Sequence, residues 1–148
     1  MTLMLLYRKY ALFVKKLDGF ILLLIRLILA YGFAGPALTK AKDIHAVIDW
    51  FTELGVPLPA LNAWLALGTE LAGVVLLTLG LATRIIAIPM IILLLVAIRT
   101  VHWQNGFEAG NNGFEIPLYY IFMLLVLVVY GGGKFSIDHW ISRKKPAV

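Results

Sequence analysis

The sequence contains no cysteine, which removes disulfides, thiolate nucleophiles, iron–sulfur ligation and dithiol exchange from this chain's own chemistry. Charge is also scarce. Lys, Arg, Asp and Glu make up 14% of the 148 residues, against about a quarter in a soluble domain. Hydrophobic residues reach 61% and the mean hydropathy is +0.92. That balance excludes an ordinary soluble fold and makes the lipid bilayer the first partner. A metal site from His45, His102 and Glu115 stays open as a minor alternative, but their spacing matches no recognised signature and no metal ligand is assigned. Facing histidines at depth, which a haem between helices would want, are missing too. The net charge of +5 is distributed by membrane side and offers no basic face for nucleic acid.

Long apolar runs are what the chain does have. Residues 1–148 read as one all-α membrane domain, a polytopic four-helix bundle with short interfacial helices. Spans are expected at about 20–38, 61–82, 85–103 and 116–130, each near the ~20 residues that cross ~30 Å of hydrocarbon. The first run begins too far from the start for a cleaved leader and is read as a retained span. Apolar residues at helical spacing over about 3–17 and 43–54 predict interfacial helices, the second with Asp43 as its N-cap. Phe135, Trp140 and Ile141 suggest a weaker anchor after the last span. Pro89 and Pro117 are read as first-turn prolines, whereas Gly32, Gly35 and Pro36 could loosen the first span and free carbonyls.

Orientation follows from the basic residues. Arg8, Lys9, Lys15, Lys16, Arg84, Lys134, Arg143, Lys144 and Lys145 fall on one side of a four-span topology. Lys40 and Lys42 on the other side are balanced by Asp43, Asp49, Glu53 and Glu108. The positive-inside rule then makes both termini cytoplasmic.

Ionisable side chains interrupt these runs, and such groups persist in a bilayer only when paired or solvated inside the protein. Glu70 lies on a stripe of the second span, Ala66, Glu70, Gly73, Leu77 and Gly80, that is small apart from Leu77 and faces protein. Helical rise puts Glu70 roughly 13 Å below the outer face, with Arg99 within about 6 Å of that face. His102, Glu115 and Asn112 stand at the same end. Glu70, Arg99, His102 and Glu115 therefore form the candidate polar pocket, with Glu70 and Arg99 either a structural ion pair or a ligand site. Arg26 and Asn112 are secondary. Arg26 sits nearer the cytoplasmic end, where it either snorkels inward or reaches toward Glu70. The echo of Gly106-Phe107-Glu108 in Gly113-Phe114-Glu115 reads as a turn or a cap over the outer mouth.

Arg26, His102, the run Glu70-Leu-Ala-Gly73-Val-Val-Leu-Leu-Thr-Leu-Gly80-Leu-Ala-Thr-Arg84 and the stretch Asn112-Gly113-Phe114-Glu115-Ile116-Pro117-Leu118 together resemble the DoxX family. Most of the chain, about Leu23 to Trp140, takes part, and it looks especially like the branch beside operons for secreted copper-binding modified peptides. The resemblance implies a small four-span bacterial inner-membrane protein associated with redox systems. Some relatives are described as the membrane subunit of a thiosulfate:quinone oxidoreductase and others as scaffolds for oxidative-stress enzymes. A membrane subunit or accessory is thus expected rather than a stand-alone enzyme, with quinone as one candidate cofactor. Its partner would be a soluble or membrane oxidoreductase, or a secreted metal-binding peptide system. A non-enzymatic ligand-binding or transport module, a purely structural scaffold and a homo-oligomer stay open.

Overall fold

The computed structural model describes residues 2–143; Lys144 and Lys145, counted above among the basic residues, lie outside the described residues. Helices α1 (Thr2–Lys15), α2 (Asp18–Lys42) and α3 (Ile44–Glu53) lead into α4 (Pro59–Leu79) and α5 (Thr83–Ala97). The last of these continues through a π-helical turn at Ile98–His102 and a 3-10 turn at Trp103–Asn105. After a second 3-10 turn at Ala109–Asn111 come α6 (Glu115–Tyr130) and α7 (Ile137–Arg143). No strand occurs among the described residues.

Helices α2, α4, α5 and α6 share one core, centred on Leu29, Phe33, Leu77, Met90, Leu124 and Leu127. Three helical stretches are long and apolar enough to cross a bilayer: Asp18–Lys42, Pro59–Leu79 and Thr83–Asn105, with hydropathies of 2.0, 1.6 and 2.3. The fourth, α6, is shorter at 16 residues. Ile85, Ile92, Trp64, Phe122 and Val129 all point outward and exposed. A soluble monomer rarely shows so much apolar surface, whereas lipid tails cover it without cost. The protein is a helical membrane bundle.

On α2 the buried residues Arg26, Ala30, Phe33 and Ala37 recur at spacings of four, three and four, which fixes its inward face. Its partner stripe on α4 is Ala63, Leu67, Glu70, Gly73 and Leu77. Gly73 permits the close approach of α5, because a β-carbon there would lie 2.5 Å from Met90 Cε and 2.6 Å from its sulfur. Met90 is wholly buried and has little room to yield. Gly73→Val should therefore cost about 1–3 kcal/mol by overpacking. A thermal melt of the purified variant checks this, and Met90→Ala in the same chain should recover part of the loss.

Asp43 caps α3 by accepting from the Ala46 amide at 3.0 Å. The α3 stripe of Ile44, Val47, Ile48 and Phe51 is half-buried, and α3 packs on α4. In contrast, Leu3, Leu6, Tyr10 and Phe13 on α1 are exposed.

One local expectation is corrected. Pro89 is not in a first turn but inside α5, since that helix begins at Thr83. The cause is a remote cap: the Asp138 carboxylate accepts from the Ala82 amide at 2.7 Å and the Thr83 amide at 2.9 Å. Those orphan donors are satisfied from α7, so the helix starts six residues before its proline. Pro117 does lie in the first turn of α6.

Candidate functional site

Two antiparallel helices bring a buried ion pair together. Side chains on an α-helix tilt toward its N-terminus. Lys40, near the end of α2, therefore leans back into the bundle, while Glu70 on α4 leans the opposite way along the bundle axis. They meet. Lys40 Nζ donates to both carboxylate oxygens of Glu70, at 2.8 and 2.9 Å. Both side chains are largely shielded, with 16% of Lys40 and 4% of Glu70 exposed. Lys40 falls three residues after Ala37, one step further along the inward stripe of α2. The spacing from Arg26 was the signal that could have found it.

Arg99, considered above as the partner of Glu70, is elsewhere. It is exposed, and its side chain makes no ion pair or hydrogen bond among the described residues. Its position continues the outward row of Ile85, Ile88, Ile92 and Leu95, one residue round from buried Ile98. The Glu70–Arg99 pairing is thus replaced by Glu70–Lys40.

The remaining expected residues gather in the loop between α5 and α6. The π-helical turn slips the helical register by one residue beyond α5. Within that loop His102 Nδ1 donates to the Asn112 carbonyl at 2.8 Å, and Asn105 Nδ2 donates to the same oxygen at 3.2 Å. Asn112 adopts a left-handed conformation, φ +59°, which asparagine tolerates. Glu115 accepts from the Ala109 amide and from Tyr119 Oη, both at 3.0 Å. The two echoed tripeptides bond to each other: Phe114 N to Gly106 O at 3.1 Å and Glu115 N to Phe107 O at 3.0 Å. Trp103 stacks on Phe114 and Phe107 meets it edge-on, with centroids 5.5 and 5.6 Å apart. The loop is a tight self-bonded knot. His102 and Asn112 are brought together, Glu115 secures the same loop, and Glu70 belongs to a separate pair.

Arg26 holds the other end of the bundle. It is fully buried, and Nη1 donates to the Leu77 carbonyl at 3.0 Å while Nη2 donates to the Phe135 carbonyl. The first, in the last turn of α4, also accepts the Gly80 amide at 3.3 Å; the second belongs to the segment before α7. Arg26 neither snorkels nor reaches Glu70, which is held by Lys40; it is wholly buried and clamps two backbone carbonyls at its own end of the bundle. Gly80, left-handed at φ +66°, leaves room for it, since a β-carbon there would lie 2.2 Å from Nη1.

Residues 21–103 match the DoxX family model. This chain belongs to the DoxX family. An "Uncharacterized protein" of Haemophilus influenzae is 34% identical to it over 137 residues, covering 87% of this chain and 88% of its own. A Bacillus subtilis protein named "Putative oxidoreductase CatD" is 31% identical over 124 residues, covering 83% and 88%. No solved structure gives a significant match. The geometry accounts for the spaced residues of this DoxX chain's Glu70–Arg84 run. Glu70 takes Lys40, Gly73 admits Met90, Gly80 admits Arg26, and Arg84 Nη2 donates to the Val129 carbonyl at the end of α6 at 3.0 Å.

Proposed function

We propose that this DoxX protein is a four-span inner-membrane accessory subunit of a redox pathway, with both termini cytoplasmic, rather than a stand-alone enzyme. In this reading Glu70 and Lys40 form the floor of a polar pocket in the outer half of the bundle. The π-helical turn and the loop carrying His102, Asn112 and Glu115 form its rim, while Arg99 faces outward and takes no part. The observation that carries the reading is the Lys40–Glu70 pair itself, buried between two apolar helices. Charges at that depth are costly, and when retained they commonly mark a ligand or proton path. An ammonium and a carboxylate in contact can hydrogen-bond a carbonyl ligand such as a quinone and exchange a proton with it. The redox association draws on the name carried by the Bacillus subtilis relative.

The test is quinone retention by the full-length protein, purified with the products of its neighbouring genes. Wild type should carry extractable quinone, and Glu70→Gln should reduce it about tenfold or more at equal folded yield. Absence of quinone from the wild-type assembly, together with no binding on addition, overturns the quinone reading.

A scaffold is the second reading, favoured by a specific observation: Arg26, Lys40 and Glu70 all find partners within the chain. It predicts that activity of the partner enzyme falls only in step with folded yield across substitutions at these three positions.

A further inference from the structure

At the end of the bundle opposite the Lys40–Glu70 pair lies an open cleft of about 560 Å³ between the α4–α5 turn and the α6–α7 segment. Arg84, Lys134 and His139 line it with the Gly131–Gly133 turn and Asp138. Asp138 accepts from the amides of Ala82 and Thr83 and its negative charge is offset by the buried Arg26, so Arg84 and Lys134 leave the cleft with an excess of positive charge. Lys134 makes no ion pair among the described residues, and Arg84 spends one nitrogen on the Val129 carbonyl and forms no ion pair. The backbone amides of Gly132, Gly133 and Lys134 make no hydrogen bond among the described residues. Two cations without ion pairs, beside a lining turn whose successive amides are unpaired, make an anion-binding arrangement. Exposed Tyr130, Phe135 and Trp140 flank it, the residues that settle at headgroup level in a membrane interface.

We propose that this cleft binds a phosphate group, held by Arg84, Lys134 and the amides of the glycine turn, and that its source is an anionic phospholipid of the cytoplasmic leaflet. The proposal rests on the four-span orientation given above. Accessibility of the termini to an impermeant label tests that orientation separately, so cytoplasmic termini without lipid binding count against the cleft alone.

Native mass spectrometry of the full-length protein, incubated with phosphatidylglycerol or phosphatidylcholine, supplies the test. Phosphatidylglycerol should be retained about tenfold more tightly than phosphatidylcholine. Arg84→Gln with Lys134→Gln should abolish that preference. Lys15→Gln with Lys16→Gln removes the same charge from the same side and should leave it intact. Because Arg84 also bonds α6, Lys134→Gln alone is read as well, and it should weaken retention severalfold without lowering the melting temperature. Equal retention of both lipids, or equal losses in the two double variants, overturns the proposal. Inorganic phosphate that binds through Arg84 and Lys134 while the lipid does not would overturn the lipid source.

Discussion

Lys40→Met is expected to destabilise the protein by about 3–5 kcal/mol, and adding Glu70→Leu is expected to return it close to wild-type stability. The single change leaves a carboxylate, 4% exposed, with neither counter-charge nor the two hydrogen bonds it now receives. The double change puts two apolar side chains of similar volume between α2 and α4, where the surroundings are already apolar. Glu70→Gln should cost less than Lys40→Met. Lys40 stands two residues from the end of α2, so its ammonium can swing out to the membrane rim, while Glu70 on the middle of α4 cannot. Denaturant unfolding in micelles, followed by tryptophan fluorescence, gives the four stabilities of the cycle. If the double variant is as unstable as the worse single, the two residues are not coupled. The same double variant also divides the functional readings. A folded protein that no longer supports the proposed partner enzyme has lost a ligand site, and a folded protein that still does was using the pair only to join two helices.

Much of the architecture was legible in the sequence because it is written in local pattern. All-helical character follows from apolar runs broken by Gly, Pro and Asn, and the protein-facing side of α4 follows from Glu70, Gly73, Leu77 and Gly80. The inward side of α2 was equally readable, yet Lys40 was counted with the surface charges because of its place near the helix end. Arg99 is the opposite case. Helix α5 is apolar almost all round, so no strong asymmetry orients it, and depth alone suggested a meeting with Glu70. Azimuth decides, and the row from Ile85 through Leu95 carries Arg99 outward. The π-helical turn has no sequence signature of its own. Contacts made across the whole chain could not be read at all. Asp138 capping α5 spans 56 residues, and Arg26 reaching Phe135 spans 109.

The Arg26 clamp leads to the second large effect. Arg26→Met should destabilise the bundle by about 3–5 kcal/mol, since two charge-assisted hydrogen bonds vanish and the buried Leu77 carbonyl keeps only the long bond from the Gly80 amide at 3.3 Å. Arg26→Lys keeps the charge but should recover only part of this. A lysine offers a single ammonium, and the two carbonyls it must serve belong to separate segments that the planar guanidinium spans with two different nitrogens. Gly80→Ala attacks the clamp from the other side. It forces a left-handed conformation on a residue with a β-carbon, worth about 1–2 kcal/mol, and drives that carbon against Nη1 of Arg26. The two sites should therefore be non-additive. In the Arg26→Met background the methionine can move aside, so Gly80→Ala should cost about 1–2 kcal/mol less than in wild type. The Ser136 side chain, 2.6 Å from the same β-carbon position, keeps the remainder from falling to the conformational strain alone. Melting curves of the four chains measure that difference. Strict additivity would mean that Gly80 is required only for its backbone angle and that Arg26 does not depend on the space it leaves.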